Sequence, residues 1–187
     1  TKTMDLRLPV ELTKSYDSLM NLLLEGIQSG QSSEDDSEGH AFFEYPPCRK
    51  IQGRFIVYAA NYLETLRNVI KSSMHSHERA AAATIIAYYH DKRDIVNDLL
   101  TAVKDEDEGV RNDAIRALGI ILKYAQERPN LKIRIQPDPF ISLMNSISWT
   151  DRNKSVGILL TMSEQRDKKF LQQLKKEILK SLVDMAK

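Results

Sequence analysis

The chain has 187 residues, 42% of them hydrophobic and 28% charged, with a formal net charge of +1 and a single cysteine. That length suits one compact domain or one short repeat array. No apolar run approaches the ~18–20 residues of a membrane-crossing helix, no signal peptide is visible, and one cysteine excludes an internal disulfide framework.

Charge drifts along the chain. Residues 1–47 carry three basic and nine acidic side chains, residues 48–151 fifteen and thirteen, and residues 152–187 nine and four. Sums of −6, +2 and +5 follow. Solvated helix faces that change sign account for this; end-to-end contacts or partner orientation are the functional alternative.

The first residues, Thr1-Lys2-Thr3-Met4, do not read as a native start. Leu12, Tyr16, Leu19, Leu23 and Ile27 then form a helical stripe over residues 9–28. Residues 29–45 follow, acidic at Glu34, Asp35, Asp36 and Glu38 and without a period, so a flexible loop is expected. The apolar clump Ala41-Phe-Phe-Glu-Tyr45 could pin it back onto the helices. Pro46 and Pro47 suit a first helical turn, and the stripe Ile51, Phe55, Ala59, Leu63, Leu66, Ile70 predicts one long helix to about Ser73. Cys48 opens that stripe and is expected to be buried.

Helices follow at His77–Tyr89 and Asp94–Val103, with Asp91 or Asp94 as a cap. The chain is organised around the next one, Glu108–Glu127. An acidic turn, Asp105 to Gly109, leads into Val110, Ala114, Leu118, Ile121 and Ala125 on one face. Asp105 and Asp107 are placed to cap it. Three prolines in residues 127–139 exclude a continuous helix there. A short helix from Pro139 to Trp149 precedes one capped by Thr150 or Asp151. The last helix, from about Asp167, aligns Leu171, Leu174, Ile178, Leu182 and Met185. Its open apolar stripe either packs on a neighbour or marks a longer array, since solenoid ends need a cap.

Moving back 32 residues sets Val110, Arg111, Ala114, Leu118 and Ile121 over Glu78, Arg79, Ala82, Ile86 and Tyr89. Moving forward 42 sets Val156 and Leu160 over Ala114 and Leu118. A period in the thirties built from two helices marks an α-solenoid. Turn, Val-Arg, small residue, Leu-Gly resembles the second helix of a HEAT repeat. The wider pattern, in Asp36-Ser-Glu-Gly-His-Ala41, His77–Ala82, Asp107–Gly119 and Ser148–Lys154, resembles a group of bacterial HEAT-repeat proteins of unassigned activity. The resemblance spans about residues 36–183. It implies an all-α fold of stacked antiparallel helix pairs, an α-α superhelix of the ARM type with seven or eight helices. One domain over residues 1–187 is expected, with helical repeats from residue 46 onward.

His75, His77 and Glu78 cluster at a helix start. The HEAT-repeat deoxyhypusine hydroxylases bind iron through His-Glu dipeptides at such positions, but there the dipeptide recurs; here Val110-Arg111 occupies the equivalent place. One dipeptide cannot complete a first coordination shell, so a polar helix start is the simpler reading. Glu34, Asp35, Asp36, Glu38 and His40 lack the spacing of an EF-hand loop. There is no Gly-rich phosphate loop, no Gly-x-Ser-x-Gly and no zinc-type cysteine spacing, so no cofactor and no catalytic residue is implied.

Arg79, Arg111, Arg152, Asn153 and Lys154 recur at second-helix starts. They could form a ladder between repeats, with Asp105, Asp107 and Asp151 as acceptors, or line a groove for an acidic ligand. Tyr88, Tyr89, Lys92 and Arg93, like Tyr58, Tyr62 and Arg67, mix aromatic and basic residues. Interleaved anions and the small net charge argue against nucleic acid. The leading expectation is therefore a non-catalytic scaffold holding a protein or peptide segment, with those five residues as groove candidates. The alternative is a HEAT-like enzyme, metal-dependent through His75, His77 and Glu78 or acting on nucleic acid. Nothing in the sequence assigns an oligomeric state or a compartment.

Overall fold

The computed structural model describes residues 2–185. The chain start read at Thr1 and anything beyond Lys187 lie outside the described residues. Nine α-helices fall within them: α1 Val10–Gln28, α2 Pro46–Asn61, α3 Leu63–Ser72, α4 Ser76–Ile86, α5 Lys92–Ala102, α6 Glu108–Glu127, α7 Asp138–Leu143, α8 Trp149–Ser163 and α9 Lys168–Met185. A 3-10 turn spans Pro129–Leu131, and two-residue strands β1 Glu34–Asp35 and β2 Phe42–Phe43 pair antiparallel.

Local chemistry sets most helix starts. Tyr45 precedes the two prolines that open α2. Asp91 accepts from the Arg93 and Asp94 amides at 3.0 and 3.4 Å, Asp107 from the Val110 amide at 3.1 Å, and Asp167 from the Phe170 amide at 2.8 Å. Ser148, not Thr150 or Asp151, caps α8, accepting from the Asp151 amide at 3.3 Å. That leaves the Asp151 carboxylate free to take a guanidinium. Asp105 is likewise no helix cap: it accepts the Asp107 amide in the turn and turns its charge to Arg79.

The single long helix expected from Pro46 to Ser73 is two. Tyr62 adopts φ −120° and ψ 20°, which breaks the helical run between α2 and α3. Its hydroxyl donates to Glu11 at 2.8 Å, and its ring sits edge-on to Tyr58. An apolar stripe cannot report such a break when Ala59 and Leu66 are buried on both sides of it.

The helices form two layers. α3 packs on α4, α5 on α6 and α7 on α8; α4, α6 and α8 then lie side by side as a second-helix wall, and α3 contacts α5 in the other layer. Val110, Ala114, Leu118 and Ile121 point from α6 into the space between, together with Ile95 and Leu99 of α5 and Ala82 and Ile86 of α4, all fully buried. At roughly 1.5–3 kcal/mol per fully buried large aliphatic side chain, this continuous core is what holds the stack together. α1 and α2 close its first end, both packing on α4. At the other end α9 contacts α7 and buries Ile178, while Leu171, Leu179 and Val183 stay exposed.

The acidic stretch before α2 is not free. β1 and β2 close a small hairpin, and Gly39 takes φ +73° at its bend, where a Cβ would sit 2.9 Å from the Tyr124 ring. Ala41 offers its carbonyl to Tyr88 Oη at 2.7 Å and Gln52 Nε2 at 3.0 Å. The stretch lies as an arm along α4 and α6.

Candidate functional site

Between α1, this arm and the second-helix wall runs a groove of about 360 Å³. Its apolar lining comes from Leu19, Met20 and Leu23 of α1, Phe43 of the arm, and Ala117 and Ile120 of α6. The stacking of repeats supplies the floor, and α1 supplies the facing wall because its stripe is wide: Leu12, Tyr16 and Leu19 are buried, while Leu24 and Ile27 stay exposed.

Polar groups sit at defined points. Asp113, on α6, accepts from Tyr16 Oη at 3.0 Å, Thr84 Oγ1 at 3.1 Å and Asn112 Nδ2 at 3.3 Å. Burial pushes its carboxyl above the usual range, against the pull of those donors. Burial likewise raises the Tyr16 phenol, helped by the Asp113 charge. Arg116, one turn further on, donates to both oxygens of Glu34 at 2.6 Å and lies over the Phe43 ring, so arm and wall are tied across 82 residues of sequence. Lys154 of α8 also lines the groove.

The arm has a second anchor. Lys92 is buried, and its ammonium donates to the carbonyls of Ala87 at 2.7 Å and Tyr89 at 2.8 Å and to His40 Nδ1 at 3.0 Å. Burial lowers Lys92 to about 7. Burial and then the Lys92 charge lower His40 to about 4, so the imidazole is neutral and its Nδ1 accepts. His40 Nε2 is buried without a partner.

The five residues singled out from the sequence do not share one surface. Arg79 is 1% exposed and gives Nε and Nη2 to Asp105 at 2.8 and 2.7 Å and Nη1 to the Ser73 carbonyl at 2.9 Å. Arg111 repeats this one repeat later, with Nε and Nη2 on Asp151 at 2.9 and 2.7 Å and Nη1 on the carbonyls of Asp105 and Glu106. Both are engaged between turns, away from the groove lining. Arg152 donates to the Ser146 carbonyl and stacks over Trp149, and Asn153 is exposed. Of the five, Lys154 lines the groove.

His75, His77 and Glu78 diverge. His75 Nε2 pairs with Asp5 at 2.6 Å, and His77 Nε2 with Asp17 at 2.8 Å. Glu78 accepts the Leu8 amide at 2.9 Å and Thr13 Oγ1 at 3.2 Å. Among the described residues no three His, Cys, Asp or Glu side chains are grouped to hold a metal ion. No helix among them is long and apolar enough to cross a membrane.

Sequence reasoning missed Asp113, Arg116 and Ile120. The acids of residues 34–38, the α6 cations Arg116 and Lys123, and Arg128 just past the end of α6 were the available signal, since Lys123 approaches Asp36 at 3.6 Å and Arg128 donates to the Ser37 carbonyl at 3.2 Å.

No curated protein and no solved structure matches the chain. Residues 63–144 match the family model described as HEAT repeats, a stretch that opens with α3 and closes just past α7. Paired helices, the wall of second helices and the arginine–aspartate links between turns all lie in or beside that match, so residues 63–144 carry HEAT repeats.

Proposed function

We propose that the chain is a non-catalytic scaffold that holds a segment of a partner protein in the groove between α1, the arm and the α4–α6–α8 wall. The observation that carries this is the groove itself: apolar side chains from separate elements converge on one open trough, with fixed polar groups along its floor. HEAT repeats commonly serve protein interaction, and a wall of stacked second helices is the surface such arrays offer.

An enzymatic reading has less support. His75, His77 and Glu78 are each bound to a different side chain or amide, and they lie outside the groove lining. Nucleic-acid binding is disfavoured because the arginines best placed to meet phosphates are already bound to carboxylates: Arg67 to Glu64, Asp94 and Asp98, and Arg116 to Glu34.

Site-specific photocrosslinking in the native host tests the reading. A photoreactive residue at Ile120 should give an adduct mapping to one segment of one protein, while the same group at Asn97, outside the groove lining, should not. Met20→Glu should abolish the adduct while circular dichroism shows the helical fold retained. An equal adduct from Asn97, or one indifferent to Met20→Glu, would remove the groove from the function.

A further inference from the structure

Asp113 lies on the groove floor as a carboxylate held only by neutral donors: two hydroxyls and an amide. Among the described residues it forms no ion pair, and the guanidinium one turn along the helix, Arg116, is occupied by Glu34. Glu34 and Arg116 cancel one another. Lys154 is the remaining cation in the lining, on α8 and partly exposed, where water screens it. The charge that decides what the groove accepts is therefore the desolvated one.

A desolvated anion lacking a counter-charge gains more from an incoming cation than an exposed one does, because the surrounding dielectric is low and part of the desolvation is already met. Burial holds the Asp113 carboxyl above its ordinary range, outweighing the three neutral donors and the smaller pull of the Arg116 charge. Leu19, Met20, Leu23 and Ile120 line the same groove and would seat apolar side chains beside such a cation.

We infer that the partner segment presents a lysine or arginine whose cation pairs with Asp113, flanked by apolar residues that lie against α1 and Ile120. The inference rests on the groove being the partner site. An acidic segment is disfavoured, since its carboxylates would approach Asp113 with only Lys154 to offset the repulsion.

Selection of a random twelve-residue peptide display library on the full chain tests it. The retained peptides should share one lysine or arginine among large apolar residues and lose binding to Ile120→Glu. For the best of them, Asp113→Asn should weaken affinity at least 10-fold. Replacing the peptide cation by norleucine should do the same, and the two changes together should cost little more than either alone. The norleucine arm leaves the protein untouched, so a folding defect cannot imitate the result. Peptides that need Ile120 but carry no cation, or that ignore Asp113→Asn, would overturn this inference and leave the groove reading standing. Peptides indifferent to Ile120→Glu, or a library that yields none above a blocked surface, would overturn the groove reading itself.

Discussion

Arg79 and Asp105 meet side-on beneath the surface, two nitrogens of the guanidinium against the two oxygens of the carboxylate, with side-chain exposures of 1% and 0%. Burial works against the charge on Asp105, but Arg79 and then Lys2 outweigh it and hold the carboxyl below its usual range. Arg111 and Asp151 form the same link one repeat on. Each arginine begins a second helix and grips the acid at the start of the next, so the links fix the spacing of the wall whose floor is the groove.

Removing one partner of such a link strands the other. Asp105→Ala is expected to cost about 3–5 kcal/mol, because Arg79 keeps its charge while its side chain is only 1% exposed. Arg111→Met should cost less, since the stranded Asp151 keeps the Ser146 hydroxyl at 2.6 Å. In the double variant Arg79→Met/Asp105→Leu the loss should fall well short of the summed single losses. Urea denaturation of wild type, Arg79→Met, Asp105→Leu and the double variant checks this; additive losses would mean the pair is not coupled.

The arm should respond to pH through His40 and Lys92. Folded His40 binds its proton only near pH 4, while the unfolded residue does so near 6.5. Between those values the unfolded state holds more protons, so acidification destabilises the fold, by on the order of 2 kcal/mol from pH 7 to 4. Lys92 acts in the alkaline range: folded it releases its proton near 7, unfolded near 10.5, so stability rises with pH across that window. Urea midpoints across pH should lose the acid slope in His40→Asn and the alkaline slope in Lys92→Met. A slope unchanged by its variant would mean that another group carries it.

Gly39 tests whether the arm must sit where it does. Its φ of +73° disfavours any Cβ, and Tyr124 and Lys92 occupy the space one would need. Gly39→Ala is expected to cost about 1–2 kcal/mol. Amide exchange should quicken over residues 34–43 and stay unchanged in α5. Uniform quickening would mean the arm is part of the global unfolding unit instead.

The stack was readable in sequence because its contacts are local. Val110, Ala114, Leu118 and Ile121 are buried as their spacing requires, and Ala82 and Ile86 occupy the aligned places. Where the alignment puts Glu78 under Val110, the structure accommodates a carboxylate by having the Leu8 amide bind it. The groove was not readable, because Tyr16 meets Asp113 and Glu34 meets Arg116 across 97 and 82 residues. No period links an acid in an irregular stretch to a cation on α6. Arg79 and Arg111 drew attention by recurring, and recurrence in a repeat array marks what every repeat needs for stacking. Asp113 has Ala81 at its place one repeat back, a departure from the period.

That departure carries its own stability prediction. Burial raises the Asp113 carboxyl, so the folded state favours the protonated form. The sign follows: its contribution to stability is fully present below the unfolded carboxyl's ordinary value and is lost as pH rises through the raised folded one. At pH 7 the ionised group therefore costs stability. Asp113→Asn keeps an oxygen for Tyr16 and Thr84 while removing the charge. It is expected to raise stability by about 1 kcal/mol at pH 7, or a few degrees in Tm, with the gain shrinking toward pH 3. Paired melts of wild type and variant across that range read it directly. A variant less stable at pH 7 would mean that the three neutral donors fully compensate the charge, and that Asp113 has no need of a cation from outside.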